Sequence, residues 1–292
     1  MIVRIPASSA NLGPGFDCFG IAWKLYNEIE FIPGGEGLNI SGCPDKYCNE
    51  ENLCYKAYHA ALTYCGISEK PLTIRFLKNE IPISRGLGSS AALIVGGVLA
   101  ANEINHLGLS RKELLSIATS VEGHPDNIAP ALFGGFTASG MDEGWALSAA
   151  FKLSEKLHFT AIIPNYELST ELSRSVLPES YSKADTVFNI SRTALLIKAL
   201  EDGDFSLLSS ALQDKIHQPY RFGLIDGFKQ VKAAVMDCGA AGICISGAGS
   251  TLLCISDSAA TSSKISNKIS EIFPEWKVIP VESDLQGAVV IK

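Results

Sequence analysis

The chain has 292 residues and carries 24 Lys plus Arg against 31 Asp plus Glu, a formal charge of −7. With 47% hydrophobic and 19% charged residues it has enough apolar surface to offset the entropy of folding, which excludes wholesale disorder, and its length excludes a miniature scaffold in favour of one large or two medium domains. The acidic balance offers no protein-wide positive field to a polyanion, so no nucleic-acid partner is expected and an anionic ligand needs local help.

In chain order, residues 2–5 form a short β-rich run, after which Pro6, Asn11, Gly13 and Pro14 interrupt any helix. Residues 20–32 are long enough for a strand, ended by Pro33, Gly34 and Gly35. Leu53, Ala57, Ala60, Ala61 and Tyr64 have helical spacing, Gly66 stops that helix, and residues 72–77 read as the next strand. A turn punctuated by Pro82, Gly86 and Gly88 leads into residues 89–105, which are apolar nearly all round and read as a buried helix. Ser110 with Glu113 three residues on is a capping box for a helix reaching about Glu122. A short apolar segment follows, and Phe133-Gly134-Gly135-Phe136 opens a strand hairpin through Gly140 and Gly144.

The pattern restarts after residue 150, with a strand at 158–163, helices at 184–200 and about 225–236, strands at 242–246 and 251–255, a helix at 258–272 and a strand at 277–281. Strands and helices are segregated rather than strictly alternating, which predicts an α+β fold in two tightly joined domains, 1–150 and 151–292. No signal-peptide stretch and no membrane-length apolar run occurs, and eight Cys form no CxxC pair, with Cys244 and Cys254 set among aliphatics. A cytoplasmic protein with reduced thiols and no membrane partner is expected.

The stretch Pro82-Ile83-Ser84-Arg85-Gly86-Leu87-Gly88-Ser89-Ser90-Ala91-Ala92 carries the most chemistry. Glycines admit positive φ and close approach, and the helix start behind them offers unpaired N–H groups and the positive end of a dipole, which suits a phosphate. Ser89 and Ser90 add hydroxyls for a phosphate oxygen or a bound Mg²⁺, unless Ser89 serves only as a helix cap. No Lys follows the last glycine, which excludes a Walker A loop. Gly86-x-Gly88-x-x-Ala91 formally fits a dinucleotide fingerprint, yet Pro82 sits in the turn and the nearest acid at the right distance, Glu103, lies in the helix.

Two further pieces accompany this turn. Gly247-Ala248-Gly249-Ser250 lies between two strands and is either a plain hairpin or a second backbone approach to the phosphate loop. Glu122-Gly123-His124-Pro125-Asp126-Asn127 gathers two carboxylates, an imidazole and an amide. Beside a phosphate loop, that set supplies an oxygen ligand for Mg²⁺ and a group to orient an attacking hydroxyl.

Residues 82–92 (PISRGLGSSAA) together with 246–251 (SGAGST) resemble the GHMP small-molecule kinases. Residues 6–22 (PASSANLGPGFDCFGIA) narrow the resemblance to the branch that acts on homoserine, as do GHPDN at 123–127, Ser169-Thr170 with Arg174 and Leu177-Pro178, and His217-Gln218-Pro219-Tyr220-Arg221. It covers essentially the whole length. The resemblance implies a ribosomal-protein-S5-like N-terminal domain, which binds ATP, and a ferredoxin-like C-terminal one. It also implies ATP-dependent phosphorylation of the hydroxyl of L-homoserine to O-phospho-L-homoserine on the route to threonine, and a possible homodimer. Residues 82–92, with Gly247, Gly249 and Ser250, are then expected around the nucleotide, and Ser90 and Glu122 at Mg²⁺. Asn11, Asp17, His124, Arg174 and Arg221 are expected at the substrate, with Asp17 on its ammonium and the two arginines on its carboxylate. For the hydroxyl, Asp126 as a base and Asn127 as an orienting amide both stand. A kinase for another small alcohol such as mevalonate, or a non-catalytic ATP-binding relative, is the alternative. The first lacks reason for two arginine motifs, and the second predicts loss of Glu122 or the loop serines.

Overall fold

A long strand organises the first half of the molecule. In the computed structural model, which describes residues 1–291, β1 (Ile2–Ala10) lies antiparallel to β2 (Phe19–Pro33). β1 outruns its expected end at residue 5, because the register shifts between Pro6 and Ala7. The missing Pro6 N–H therefore falls at a bulge, where it costs no ladder bond. The far edge of β2 is shared: its second half pairs with β4 (Leu72–Asn79) and its start with β5 (Phe136–Asp142), whose hairpin partner is β6 (Trp145–Phe151). β3 (Leu38–Ser41) adds the one parallel pairing among the described residues, to β4. This largely antiparallel sheet removes the dinucleotide-fold reading of the glycine turn, which needs parallel strands around its helix.

Helices α1 (Leu53–Tyr64), α2 (Ser89–Ile104), α3 (Arg111–Glu122) and the short α4 (Ile128–Phe133) cover one face of this sheet. α2 is apolar on every side because it is enclosed by α1, α3 and β1, with Ile94, Val95 and Val98 at most 1% exposed. The capping box at α3 is formed on both sides, Ser110 Oγ taking the Glu113 N–H and Glu113 taking the Ser110 N–H.

The second sheet has the order β10-β7-β9-β8 and is fully antiparallel, from β7 (His158–Ile163), β8 (Gly242–Ile245), β9 (Leu252–Ser256) and β10 (Lys277–Val281). Its helices are α5 (Thr170–Ser175), α6 (Lys183–Asp202), α7 (Phe205–Ala211), α8 (Gln218–Arg221), α9 (Phe228–Asp237) and α10 (Ala259–Ile272). Val231 and Val235 of α9 and Ile265 and Ile269 of α10 pack on Ile245 and Leu252 as a satellite core. A larger core runs through both halves, with the Trp23 indole 5.0 Å from the Phe159 ring. The last strand, β11 (Val289–Ile291), returns to the first sheet beside β1. Four-residue β3, three-residue β11 and the short helices α5, α7 and α8 escape periodicity, which needs a longer window. Among the described residues no helix is long and apolar enough to cross a membrane.

Candidate active site

The glycine turn between β4 and α2 reverses hand three times in five residues, at Ser84 (φ 52°), Gly86 (φ 76°) and Gly88 (φ 68°). Gly88 occupies the N-cap of α2, so no side chain caps the helix and the Ser89 hydroxyl stays free for a ligand. The first intrahelical bond belongs to Ala92 N–H, donated to the Gly88 carbonyl, which leaves the N–H groups of Ser89, Ser90 and Ala91 without helical acceptors. A Cβ on Gly88 would stand 2.1 Å from Ser8 Oγ, and one on Gly86 2.2 Å from the Ser246 carbonyl oxygen. Only glycine fits at either place.

Two other segments clasp this turn. Ser8 N–H donates to the Leu87 carbonyl at 3.1 Å, and Thr251 N–H to the Arg85 carbonyl at 3.1 Å. Ser246 Oγ bridges Ser9 Oγ and the Gly86 carbonyl, while Gly247 N–H donates to the Ala10 carbonyl. The 247–250 hairpin therefore does bring a second stretch of backbone against the phosphate-type loop.

Beside them opens a cavity of about 570 Å³. Its lining includes Pro82 through Gly86, Gly88, Ser89 and Ser90, and an apolar set from outside that turn, Tyr47, Leu53, Phe76, Ile81 and Leu93. Leu87, Ala91 and Ala92 are buried behind the wall and shape it without facing it, and Ser250, also buried, donates instead to the Tyr166 carbonyl. The apolar set was invisible to sequence reasoning: its residues come from separate stretches of the chain and carry no motif.

The polar residues of 122–127 divide by position. Glu122 faces the cavity and accepts from Ser90 Oγ at 2.6 Å. Burial pushes its carboxyl above the usual range, partly offset by Ser90 and by His124. His124 and Asn127 also face the cavity, whereas Asp126 is fully buried behind them. Asp126 Oδ1 holds His124 Nδ1 at 2.6 Å and accepts the Asn127 N–H at 2.8 Å, and Oδ2 has no partner. Burial alone would lower the His124 pKa, but the Asp126 carboxylate overrides it and the net shift is upward. Asn127 Oδ1 accepts from Ser8 Oγ at 2.9 Å, so the amide has its N–H donors left. Ser8 is a positioning residue the motifs did not single out.

A second polar group closes the remaining side. Asn11 Oδ1 accepts the Asp17 N–H at 2.8 Å while its Nδ2 donates to the Gly247 carbonyl, tying the β1–β2 loop to the hairpin of the second sheet. Asp17 does not line the cavity itself; it forms a two-bond ion pair with Arg174, which does. Arg221 also faces the cavity and is 1% exposed. Its hydrogen bonds go to the carbonyls of Ser173 and Gly247 and to His217 Nδ1 and, among the described residues, to no carboxylate. Burial brings its pKa down to about 10, with the neighbouring Arg174 charge adding to the effect. Both guanidiniums lie over Phe16, their centres 5.5 Å and 4.9 Å from its ring centroid. His217 supports Arg221 from behind: its Nε2 donates to the Gly13 carbonyl at 2.7 Å and its ring stacks on Phe16. The predicted site residues thus gather at one cavity, with Asp17, Leu87, Ala91, Ala92, Asp126 and Ser250 outside its lining.

Residues 52–135 match the GHMP kinases N terminal domain and residues 196–275 the GHMP kinases C terminal family. A homoserine kinase of Clostridium botulinum is 43% identical over 292 residues, 99% of this chain and 98% of the relative. One of Clostridium beijerinckii is 42% identical over 294 residues, with the same coverage. The crystal structure of homoserine kinase from Cytophaga hutchinsonii superposes with a TM-score of 0.88 at 30% identity, covering 100% of this chain and 97% of the other. The mevalonate kinase of L. major, with a TM-score of 0.73 at 15% identity over 97% of this chain and 96% of its own, shares the fold. Similarity of this extent, on a fold whose two sheets meet at a glycine-turn cavity, establishes that the chain belongs to the homoserine kinases, a branch of the GHMP kinases.

Proposed function

We propose that this chain transfers the γ-phosphoryl group of ATP to the hydroxyl of L-homoserine, giving O-phospho-L-homoserine on the route to threonine. The observation that carries the substrate is Arg221. A guanidinium 1% exposed that faces a cavity and, among the described residues, hydrogen-bonds no carboxylate feels Asp17, Asp126 and Asp214 only at a distance and lacks a direct counter-ion, and burying a charge without a direct partner is costly. The carboxylate of an amino acid supplies it, with Arg174 alongside and Asp17 available to the ammonium.

The nucleotide reading rests on the division of the cavity. The apolar part of the lining suits a base, and the turn at 82–90 with the free N–H groups of α2 suits the phosphates. Ser90 and Glu122 form an all-oxygen pair on the wall and fit a hard divalent cation. Mg²⁺ bound by them would neutralise charge on the phosphate oxygens.

Phosphoryl transfer asks the protein for positioning and charge compensation more than for covalent chemistry. Asn127, its oxygen engaged by Ser8, donates an N–H toward the hydroxyl oxygen and cannot take its proton. Asp126 is screened from the cavity by His124 and Asn127, which favours orientation over deprotonation as the role of this segment.

The deciding measurement is ADP release with ATP and Mg²⁺ across homoserine, serine, threonine and mevalonate. Selective turnover of homoserine is expected. Equal or better turnover of mevalonate would remove the substrate assignment, and no turnover with any would support a non-catalytic ATP-binding relative.

A further inference from the structure

Eight cysteines in a chain of this kind read as inert core thiols, and Cys54, Cys244 and Cys254 are indeed buried. Cys43 and Cys48 are different. They are half-buried, sit at the two ends of the loop that holds the short 3₁₀ turn Asp45–Tyr47, and their sulfurs lie 3.5 Å apart. Among the described residues no other pair of cysteine sulfurs is in contact. The loop they bracket is a wall of the site: Cys43, Pro44 and Tyr47 line the cavity. Asn52, which also lines it, caps α1 through the Cys54 N–H and donates to the Tyr47 carbonyl at 2.8 Å.

We propose that Cys43 and Cys48 are a reversible redox modification site whose disulfide deforms the base-binding wall and weakens nucleotide binding. Closing the sulfurs from 3.5 Å to the roughly 2.05 Å of an S–S bond draws the two ends of the loop together. It also removes the Cys48 thiol hydrogen from the Cys43 and Pro44 carbonyls. Pro44 and Tyr47 lie between the two sulfurs in the chain and move with them, and the Tyr47 carbonyl carries Asn52 along.

The oxidant is a low-molecular-weight disulfide, R–S–S–R. Burial and the adjacent Cys48 hold the Cys43 thiol up at about 12, which leaves the first attack to Cys48. The Cys48 thiolate attacks one sulfur of R–S–S–R, forming a mixed disulfide and expelling R–S⁻. Cys43 then loses its proton to solvent, its sulfur attacks Cys48 Sγ, and the second R–S⁻ departs. Two protein thiols are oxidised by two electrons, the small disulfide is reduced, and the two protons end on two R–SH.

The effect on nucleotide binding rests on the kinase reading above; the covalent step does not. The test treats the full chain with oxidised glutathione and reads it two ways. Peptide mapping should find Cys43 joined to Cys48 with the loss of two hydrogens, and the KM for ATP should rise by about tenfold and return after dithiothreitol. Cys48→Ser, which leaves the cavity lining intact, should keep the reduced chain's KM and lose the response. No linked peptide, or a linked chain with unchanged ATP affinity, overturns the proposal. A reduced chain without turnover fails the kinase reading instead, and binding of a fluorescent ATP analogue to reduced and linked chains then decides the redox site.

Discussion

Asp17 and Arg174 stand 157 positions apart in the chain and meet in a two-bond ion pair, Nη2 to Oδ1 at 2.6 Å and Nη1 to Oδ2 at 3.1 Å. The pair bridges the β1–β2 loop and α5, and both side chains are over a third exposed. A zwitterion can exchange with it at no net change in charge, its ammonium taking the Asp17 side and its carboxylate the Arg174 side. Arg221 then gains a partner, which favours the exchanged state.

Arg174→Ala should therefore raise the homoserine KM by the loss of a charge-assisted bond worth ~1.5–3 kcal/mol, about 10- to 150-fold, with the ATP KM little altered. Arg174→Lys restores only part, because an ammonium cannot replace the planar fork. Thermal stability should hardly move, since exposed pairs contribute about 0–1 kcal/mol. Steady-state kinetics with each substrate varied in turn checks this; an unchanged homoserine KM removes Arg174 from the site.

Ser90 and Glu122 make the opposite prediction. Their contact at 2.6 Å joins the start of α2 to the end of α3. Ser90→Ala and Glu122→Gln should lower kcat and raise the Mg²⁺ concentration for half-activity by on the order of 10- to 100-fold. The homoserine KM should stay put. A defect confined to homoserine binding would contradict the assignment.

The sequence already showed where chemistry is concentrated, because the glycine turn, the 122–127 segment and the arginines are local patterns. What it hid is relational. Pro6 argued for a strand ending at residue 5, yet a bulge absorbs it and β1 runs on to Ala10, carrying Ser8 and Ser9 into the site. Asp126 and Asn127 are neighbours in sequence, but only Asn127 reaches the cavity. Phe16, under two guanidiniums, and the apolar part of the cavity lining depend on long-range packing that no spacing reveals.

The burial of Asp126 bears directly on the hydroxyl proton. Asp126→Asn keeps an oxygen that can take the Asn127 N–H, so kcat should fall by less than about tenfold. A fall of about 10²–10⁴, the range of general acid–base contributions, would assign deprotonation to Asp126. Asn127→Ala removes the cavity-facing donor and should cost more than Asp126→Asn does, measured as kcat at saturating homoserine.

Acid should weaken the site through His217. Burial holds its pKa down at about 4, the Arg221 charge adding to the effect while Asp214 opposes it. Well above the ordinary histidine pKa of about 6.5 neither folded nor unfolded chain protonates this ring. As the pH falls from there toward about 4, the unfolded chain takes up a proton that the native chain refuses, so stability decreases with acidification. The neutral ring matters to function as well, because Nδ1 accepts from Arg221 while Nε2 donates to the Gly13 carbonyl. Once protonated, His217 has no acceptor left for Arg221 and adds a positive charge beside it. His217→Gln should flatten the dependence: between about pH 7 and pH 5 the urea midpoint of the parent chain should drop further than that of the variant. Equal drops in the two chains would show that His217 does not set the acid limit.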